Sequence, residues 1–362
     1  MANNLQRQFE IFAPEFEQKA IEILRSGWYV LGNEVSSFEQ EFANWTGAKY
    51  CVGLGSGLDA LWISFRMLGI KPGDEVIVSS NAYIACVMGI TMNGGTPVFV
   101  ESDEYYNMDA SRIEAAVTPR TKAILAVHLF GQCCNMTEIM RIAEKYKLQV
   151  VEDCAQSHGN HWLGKTAGTF GKVGCFSFYP TKGCGAFGDG GAIITDDEEL
   201  AKQFRIFRNY GSEKKYYNCM VGTNSRLDEM QAGLLRVRLA HMDELNTERV
   251  RLAERYSNGI KNPLIKIPAV RPGADSTWHQ YVIRCSKRAA LIDHLNKREI
   301  GTIIHYPIPP YLSEAYAYLG IHKGAFPFTE KAADEVLSLP MFNGLTEDEQ
   351  DAVIIALNEF EG

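Results

Sequence analysis

The sequence predicts an α/β protein with a mostly parallel central sheet flanked by helices, followed by a smaller α+β domain. Short apolar runs alternate with helical patterns over the first 240 residues, which is typical of a parallel sheet covered on both faces. Near residue 240 the alternation stops, and a long helical pattern then leads into loops with Pro and Gly after Tyr256. We therefore expect a large domain over 1–240 and a small domain over 241–362, with roughly the first 25 residues packing on the small domain.

The elements of the large domain follow from hydrophobic periodicity. Residues 14–26 have helical spacing and end at Gly27, and a second helix is expected to begin at a capping box of Ser36 and Glu39. A short strand then leads through a glycine-rich turn into the helix 57–68. Further strands are predicted at 75–80, 96–101, 122–131, 149–154, 173–179 and 190–196, with helices at 109–117 and 135–147.

The small domain is introduced by one long helical pattern from Arg226 to Tyr256. Strands are predicted after it at 281–285 and 302–307. Helices are predicted at 289–297, 329–339 and 347–360.

The composition argues against several classes of function. The chain has 362 residues and a net charge of −8 from 44 acidic and 36 basic side chains, without a clustered basic face, so nucleic acid is not expected as a partner. No apolar run reaches the length of a membrane span, and the N-terminus lacks a secretory pattern, so a cytoplasmic protein is expected. The nine cysteines form no CxxC pair and favour buried thiols over a metal site.

Three segments carry residues that suggest chemistry. Glu152 and Asp153 end one strand on opposite faces, Lys182 follows another strand, and Ser56 and Gly57 lie in the glycine turn before a helix. Each alone has an ordinary structural explanation as a helix cap, a surface lysine or a tight turn. Together they offer a phosphate cradle, a carboxylate for a pyridinium nitrogen and a lysine amine, which are the requirements of pyridoxal phosphate (PLP).

The chain resembles, over nearly its whole length, the DegT/DnrJ/EryC1 family of PLP-dependent sugar aminotransferases. The matching motifs occur in the family's order: GSGLDAL, SNAYIA, VHLFGQ, VEDCAQSHG, SFYPTKGCGAFGDGG, RNYGSEKKYYN, GTNSRLDEMQAG and IHYPIPP. The resemblance implies the aspartate-aminotransferase-like fold (fold type I). It also implies a homodimer with shared active sites.

The resemblance implies roles for the matching cofactor residues. Lys182 would hold the cofactor and then shuttle a proton, Asp153 would pair with the pyridine nitrogen, and Gln156 would bind the ring hydroxyl. Tyr83 would stack on the ring. The phosphate would be bound by Ser177, the backbone of Ser56 and Gly57 and, from the neighbouring subunit, Asn224.

Substrate contacts are also implied. Arg226 would bind a substrate carboxylate, whereas the sugar or diphosphate would be bound by Tyr179, Tyr216, Tyr217, His305, Tyr306 and one of Lys214 and Lys215. His128, in an apolar strand, is expected to be a hydrogen-bonded core residue. The chain departs from the family at Leu58, where threonine is common, and at Tyr311, where many members have histidine.

The motifs most resemble those of the family branch that aminates C3 of dTDP-3-keto-6-deoxyhexoses with L-glutamate. The resemblance implies a role in deoxyamino-sugar biosynthesis, such as that for lipopolysaccharide or O-antigen. Amination at C4 of a dTDP-, UDP- or GDP-4-keto-6-deoxysugar is the alternative. A nicotinamide oxidoreductase using the GLGSG turn would leave Lys182 unexplained and has Leu58 where a third glycine is needed. A non-catalytic regulator with this fold is a third hypothesis.

Overall fold

The structure is a computed structural model that describes residues 2–362. Its strands are β1 Tyr50–Leu54, β2 Glu75–Ser79, β3 Thr96–Val100, β4 Thr121–Val127, β5 Gln149–Asp153, β6 His161–Trp162, β7 Lys165–Thr166, β8 Val173–Ser177, β9 Gly191–Thr195, β10 Ser212–Lys214, β11 Tyr217–Asn218, β12 Tyr281–Arg284 and β13 Val336–Leu339. Its α-helices are α1 Leu5–Glu10, α2 Ala13–Ser26, α3 Asn33–Thr46, α4 Gly57–Met67, α5 Ile84–Thr91, α6 Ile113–Ala116, α7 Met136–Tyr146, α8 Glu198–Phe207, α9 Glu229–Ala240, α10 Met242–Gly259, α11 Arg288–Asn296, α12 Pro327–Glu335 and α13 Glu347–Asn358.

The central sheet has seven strands in the order β1-β9-β8-β5-β4-β2-β3. The pairs from β8 to β3 are parallel, whereas β9 runs antiparallel to both β8 and β1. Residues of these strands are almost all buried, because helices cover both faces of the sheet. The prediction of a mostly parallel sheet flanked by helices is confirmed.

This topology brings the predicted chemical residues to one edge of the sheet. β1 is antiparallel to β9, which is antiparallel to β8, so β1 and β8 end at the same edge as β5. Asp153 ends β5, Ser177 ends β8, and Gly57 begins α4 just beyond β1. The carboxyl ends of parallel strands are where α/β sheets bind ligands.

The C-terminal part has its own hydrophobic cluster, whose buried members all lie between Leu252 and Phe360. It surrounds the antiparallel pair β12–β13, with α10, α11 and α13 packed around it. We propose that residues 241–362 form a separate domain. The N-terminal segment contacts both parts: Arg7 of α1 lies 2.6 Å from Glu349, whereas Phe16 of α2 packs against α9.

Two helix boundaries differ from the prediction. α3 begins at Asn33, and Glu229 caps it by accepting hydrogen bonds from the N–H groups of Gly32, Glu34 and Val35 at 2.7–2.9 Å. The expected capping box is absent, because the Ser36 hydroxyl bonds within the first turn. A distant carboxylate thus caps this helix.

The long helix expected from Arg226 to Tyr256 is two helices, α9 and α10, that break at His241. His241 leaves helical geometry and stacks on Phe12, with ring centroids 3.9 Å apart. Its Nε2 also lies 3.2 Å from a carboxylate oxygen of Glu15. Contacts with the N-terminal segment therefore accompany the break.

Two small-domain predictions were wrong in part. The helix expected over 329–339 ends at Glu335, and Val336 turns to extended geometry so that residues 336–339 pair with β12. The strand expected over 302–307 is reduced to a single bridge between Ile303 and Ser338. Among residues 2–362, no helix is both long and apolar enough to cross a lipid bilayer.

Candidate active site

One cavity of about 430 Å³ lies at the carboxyl ends of the central strands. Residues from both the large domain and the proposed small domain line it. The predicted site residues that the structure brings together there are Ser56, Gly57, Tyr83, Asp153, Gln156, Ser177, Tyr179, Lys182, His305 and Tyr306. A cavity of this size suits a small-molecule ligand.

The start of α4 and the end of β8 approach so closely that Gly57 has no room for a side chain. A Cβ there would lie 2.5 Å from Cβ of Ser177. Ser56 caps the helix by accepting a hydrogen bond from the N–H of Asp59 at 3.1 Å. The first N–H groups of α4 have no acceptor within the helix, so with the Ser177 hydroxyl they form a cradle suited to a phosphate.

Asp153 is buried at the end of β5 and its two oxygens are held separately. One accepts a hydrogen bond from the N–H of Ala155 at 3.0 Å, and the other accepts one from the thiol of Cys86 at 2.9 Å. Burial, followed by the charge of Asp153, raises the pKa of Cys86 well above its usual value, so this thiol stays protonated and donates. The carboxylate therefore has a fixed orientation beside the cavity.

Lys182 lines the cavity, and its amine makes no hydrogen bond or ion pair with another residue of 2–362. Burial lowers the pKa of Lys182, and the negative charge of Asp153 partly opposes this effect. The adjacent carbonyl of Gly183 accepts a hydrogen bond from Nε of Arg238 at 2.9 Å. Arg238 in turn donates to Gln8 of α1, so buried polar contacts fix the segment that carries the lysine.

Gln156 is oriented by its neighbours. Its Oε1 accepts a hydrogen bond from the N–H of Phe130 at 2.7 Å, which leaves Nε2 as the donor on the cavity side. Nε2 lies 3.0 Å from the hydroxyl of Tyr306, whose ring packs against Tyr83 with centroids 5.0 Å apart. The Gln156 amide is thus hydrogen-bonded to the aromatic wall of the cavity that Tyr306 and Tyr83 form.

Five predicted site residues lie outside this cavity. Asn224 donates to the hydroxyl of Tyr210 at 2.9 Å, and Arg226 binds Asn209 and lies over the ring of Tyr210. The remaining three, Lys214, Tyr216 and Tyr217, belong to an exposed hairpin, in which Lys214 lies over the ring of Tyr217 and the neighbouring Lys215 lies over the ring of Tyr216. Within one chain, none of these side chains reaches the Lys182 cavity.

His128 is a core residue, as expected. Its Nδ1 accepts a hydrogen bond from the N–H of Cys134 at 3.0 Å, so its Nε2 donates to Glu152 at 2.9 Å. Glu152 faces away from the cavity and also accepts three backbone N–H bonds at 2.7–2.8 Å. His128, Glu152 and Cys154 have the spacing of metal ligands, but the oxygens of Glu152 are saturated with hydrogen bonds, so the cluster is explained as a structural network.

Sequence reasoning did not select several residues that line the cavity, among them Cys86, His279 and Gln280. Cys86 lies three residues after Tyr83 at the start of α5, so helical spacing could have identified it. No sequence signal indicated His279, because tertiary contacts bring it to the cavity. Tyr311 is buried away from the cavity and donates to Glu330 at 3.0 Å.

These residues fit PLP. The cradle at Gly57 leaves room for phosphate only because no Cβ is present, and the lysine amine is free of other partners. A buried carboxylate with a fixed orientation lines the same cavity, where it suits a protonated ring nitrogen.

Comparison with known proteins agrees with this geometry. Residues 11–358 match the DegT/DnrJ/EryC1/StrS aminotransferase family. The chain belongs to this family. It is 47% identical over 350 residues to a dTDP-3-amino-3,6-dideoxy-alpha-D-galactopyranose transaminase of Aneurinibacillus thermoaerophilus, with 96% of each chain covered.

Two further similarities concern Streptomyces venezuelae. The chain is 44% identical over 359 residues to its dTDP-3-amino-3,4,6-trideoxy-alpha-D-glucose transaminase, covering 99% of this chain and 95% of the relative. The crystal structure of S. venezuelae DesV with a ketimine intermediate superposes with a TM-score of 0.96 at 44% identity, covering 98% and 96% of the two chains. The aspartate-aminotransferase-like fold is thus confirmed, and an aminotransferase family replaces the nicotinamide hypothesis.

Proposed function

We propose that this enzyme uses PLP to transfer the amino group of L-glutamate to C3 of a dTDP-3-keto-6-deoxyhexose, which gives a dTDP-3-amino-3,6-dideoxyhexose. The observation that carries the proposal is the cavity in which Lys182, Asp153 and the Gly57–Ser177 cradle meet. C3 is favoured over C4 because the two relatives described above are both named for 3-amino sugars.

The cofactor residues have separable tasks. When bound, PLP withdraws electrons from the carbon that exchanges its nitrogen. The cradle of Gly57, Ser56 and Ser177 holds the phosphate, and the carboxylate of Asp153 keeps a proton on the ring nitrogen. Gln156 offers its Nε2 to the ring hydroxyl, and Tyr83 covers one ring face.

Lys182 moves the proton. Burial lowers the pKa of Lys182, which favours the uncharged amine, so Nζ can accept a proton from the reacting carbon and return it. The same group serves both halves of the reaction, first with glutamate and then with the keto sugar.

We propose that the active form is a homodimer, because a single chain leaves five of the expected ligand-binding side chains away from the cavity. Exposed apolar side chains lie near these residues: Trp28 and Tyr29 are 63% and 52% exposed, and Val221 is 91% exposed. The bridge between Val30 and Asp228 joins their segments. An apolar patch of this kind favours a protein interface, across which Asn224 would reach the other active site.

Since nucleotide sugars and glutamate are cytoplasmic metabolites, the proposal places the enzyme in the cytoplasm. Lys214, Tyr216, Tyr217 and Arg226 would meet the diphosphate and the substrate carboxylate from across the interface. Tyr179, His305 and Tyr306 would meet the sugar from within the chain.

The deciding experiment supplies glutamate with dTDP-3-keto- or dTDP-4-keto-6-deoxyhexose and identifies the product by NMR. We expect amination at C3, and loss of all transfer in Lys182→Ala. Lys165→Ala, which changes an exposed lysine, serves as the matched control. Product aminated at C4 would establish the alternative, and full turnover by Lys182→Ala would refute the mechanism.

Mixed dimers test the shared site. If Asn224 acts across the interface, pairing a Lys182→Ala chain with an Asn224→Ala chain creates one intact site, and activity returns. If Asn224 acts within its own chain, both sites remain defective and mixing restores nothing.

A further inference from the structure

The part of the cavity formed by the C-terminal region carries no charge. His279, Gln280, His305 and Tyr306 line it, whereas Lys182 is the cation among the described residues around the cavity. Burial, followed by the charge of Lys182, lowers the pKa of His305 to about 4. This wall therefore presents neutral hydrogen-bonding groups.

His279 has unused hydrogen-bonding capacity there. It is only 8% exposed, and its buried Nδ1 has no partner among residues 2–362. Burial and then the positive charge of Lys182 lower the pKa of His279 well below its usual value, so the ring is neutral at physiological pH. A neutral imidazole offers one N–H donor and one acceptor nitrogen.

The backbone around His279 is held on two sides. The N–H of Thr277 donates to the carbonyl of Gly131 at 3.0 Å, and Arg249 donates through Nη1 to the carbonyls of Trp278 at 3.2 Å and His279 at 3.4 Å. A Cβ at Gly131 would lie 2.7 Å from the backbone nitrogen of His279. The ring is therefore held in place before any substrate arrives.

We propose that His279 is a specificity-determining residue that hydrogen-bonds a hydroxyl group of the keto sugar. The inference rests on the proposed function. Glutamate and the sugar use the same cavity in turn, but the carboxylates of glutamate require cations. A neutral imidazole suits a hydroxyl group, which can both accept and donate a hydrogen bond. The nitrogen that can meet the sugar is Nε2, which makes no hydrogen bond with residues 2–362 and, unlike Nδ1, is not among the buried unpaired atoms.

The test separates the two half-reactions in the holoenzyme. In His279→Phe, we expect single-turnover conversion of the cofactor by glutamate to stay within about twofold of wild type. The half-reaction with the keto sugar should slow at least about tenfold. The calorimetric Kd of the dTDP-3-amino sugar for the pyridoxamine form, which cannot transfer nitrogen to an amine, should rise by about the same factor.

Two polar variants identify the nitrogen that acts. Gln places its amide near the position of Nε2, and Asn places its amide near the position of Nδ1. Nδ1 is buried, whereas Nε2 is not among the buried atoms without partners, so Gln should restore more sugar affinity than Asn. His158→Phe is the matched control, because His158 is another buried histidine with a pKa lowered by burial and Lys182, and it does not line the cavity.

The outcomes are distinguishable. If wild-type enzyme converts neither keto sugar, the proposed function fails and this inference fails with it. If wild-type enzyme works and His279→Phe binds the amino sugar with unchanged affinity, only the inference is overturned. Equal losses in both half-reactions, or an equal loss in His158→Phe, would show a structural role and also overturn it.

Discussion

Gly57→Ala is the sharpest test of the phosphate cradle. The added Cβ would lie 2.5 Å from Cβ of Ser177, whereas carbon atoms in contact prefer about 3.5–4.0 Å. The start of α4 and the end of β8 must therefore separate by about 1 Å. Overpacking costs about 1–3 kcal/mol, and the better helix propensity of alanine returns up to about 1 kcal/mol, so the expected net loss of stability is at most about 3 kcal/mol.

The larger effect should be on cofactor affinity. A separation of about 1 Å takes a hydrogen bond of normal length beyond its useful range, so at least one bond to the charged phosphate is lost. A hydrogen bond to a charged group is worth about 1.5–3 kcal/mol, which corresponds to roughly 10- to 100-fold in Kd.

The assay titrates cofactor-free protein with PLP and follows its absorbance, with a thermal melt of the same sample. The matched control is Gly259→Ala, whose Cβ would lie 2.7 Å from Cδ1 of Ile354 in the C-terminal core. We expect the control to lose stability but bind PLP normally. Unchanged PLP affinity in Gly57→Ala would refute the assignment of the cradle.

Two further predictions concern pairs of polar side chains, one buried and one partly exposed. Cys86→Ala removes the thiol donor to Asp153, so PLP affinity measured by titration should fall about tenfold. Cys86→Ser keeps a donor and should restore the affinity. Equal affinity in both variants would contradict the role of this hydrogen bond. The Arg7 hydrogen bond lowers the pKa of Glu349 to about 2, so its contribution to stability is present above pH 4.5 and is lost as the pH falls toward 2. Because both side chains are about one-third or more exposed, Arg7→Ala should cost less than about 1 kcal/mol at pH 7. Thermal melts should show the difference from wild type shrinking below pH 4.5 and disappearing near pH 2; a constant difference would exclude this pair as its source.

The strands of the large domain could be predicted because runs of consecutive apolar residues mark them in the sequence. Runs such as 76–78 and 191–194 are apolar at every position, and all of their residues are buried. The helix predicted over 135–147 also begins as expected, because the Asn135 side chain caps α7 by accepting a hydrogen bond from the N–H of Glu138 at 3.2 Å. Local sequence patterns were therefore enough to predict the elements whose structure depends on residues close together in the sequence.

The remaining differences come from contacts between distant residues. Glu229 replaces a local cap for α3, and β12 draws residues 336–339 out of a helical pattern. His279 reaches the cavity because Gly131 and Arg249 hold its backbone there. Resemblance to a family identified the cofactor residues, but the geometry of a single chain was needed to show that Asn224 and Arg226 lie outside the cavity.

The position of β1 has a consequence for synthesis on the ribosome. Although β1 is the first strand to emerge, it lies at the sheet edge, and its sheet partner is β9, where Tyr50 pairs with Thr195. The nascent chain must therefore keep this apolar strand unpaired until most of the large domain has been translated. Such an interval favours aggregation and slows folding, so chaperone capacity during expression should govern the yield of folded enzyme.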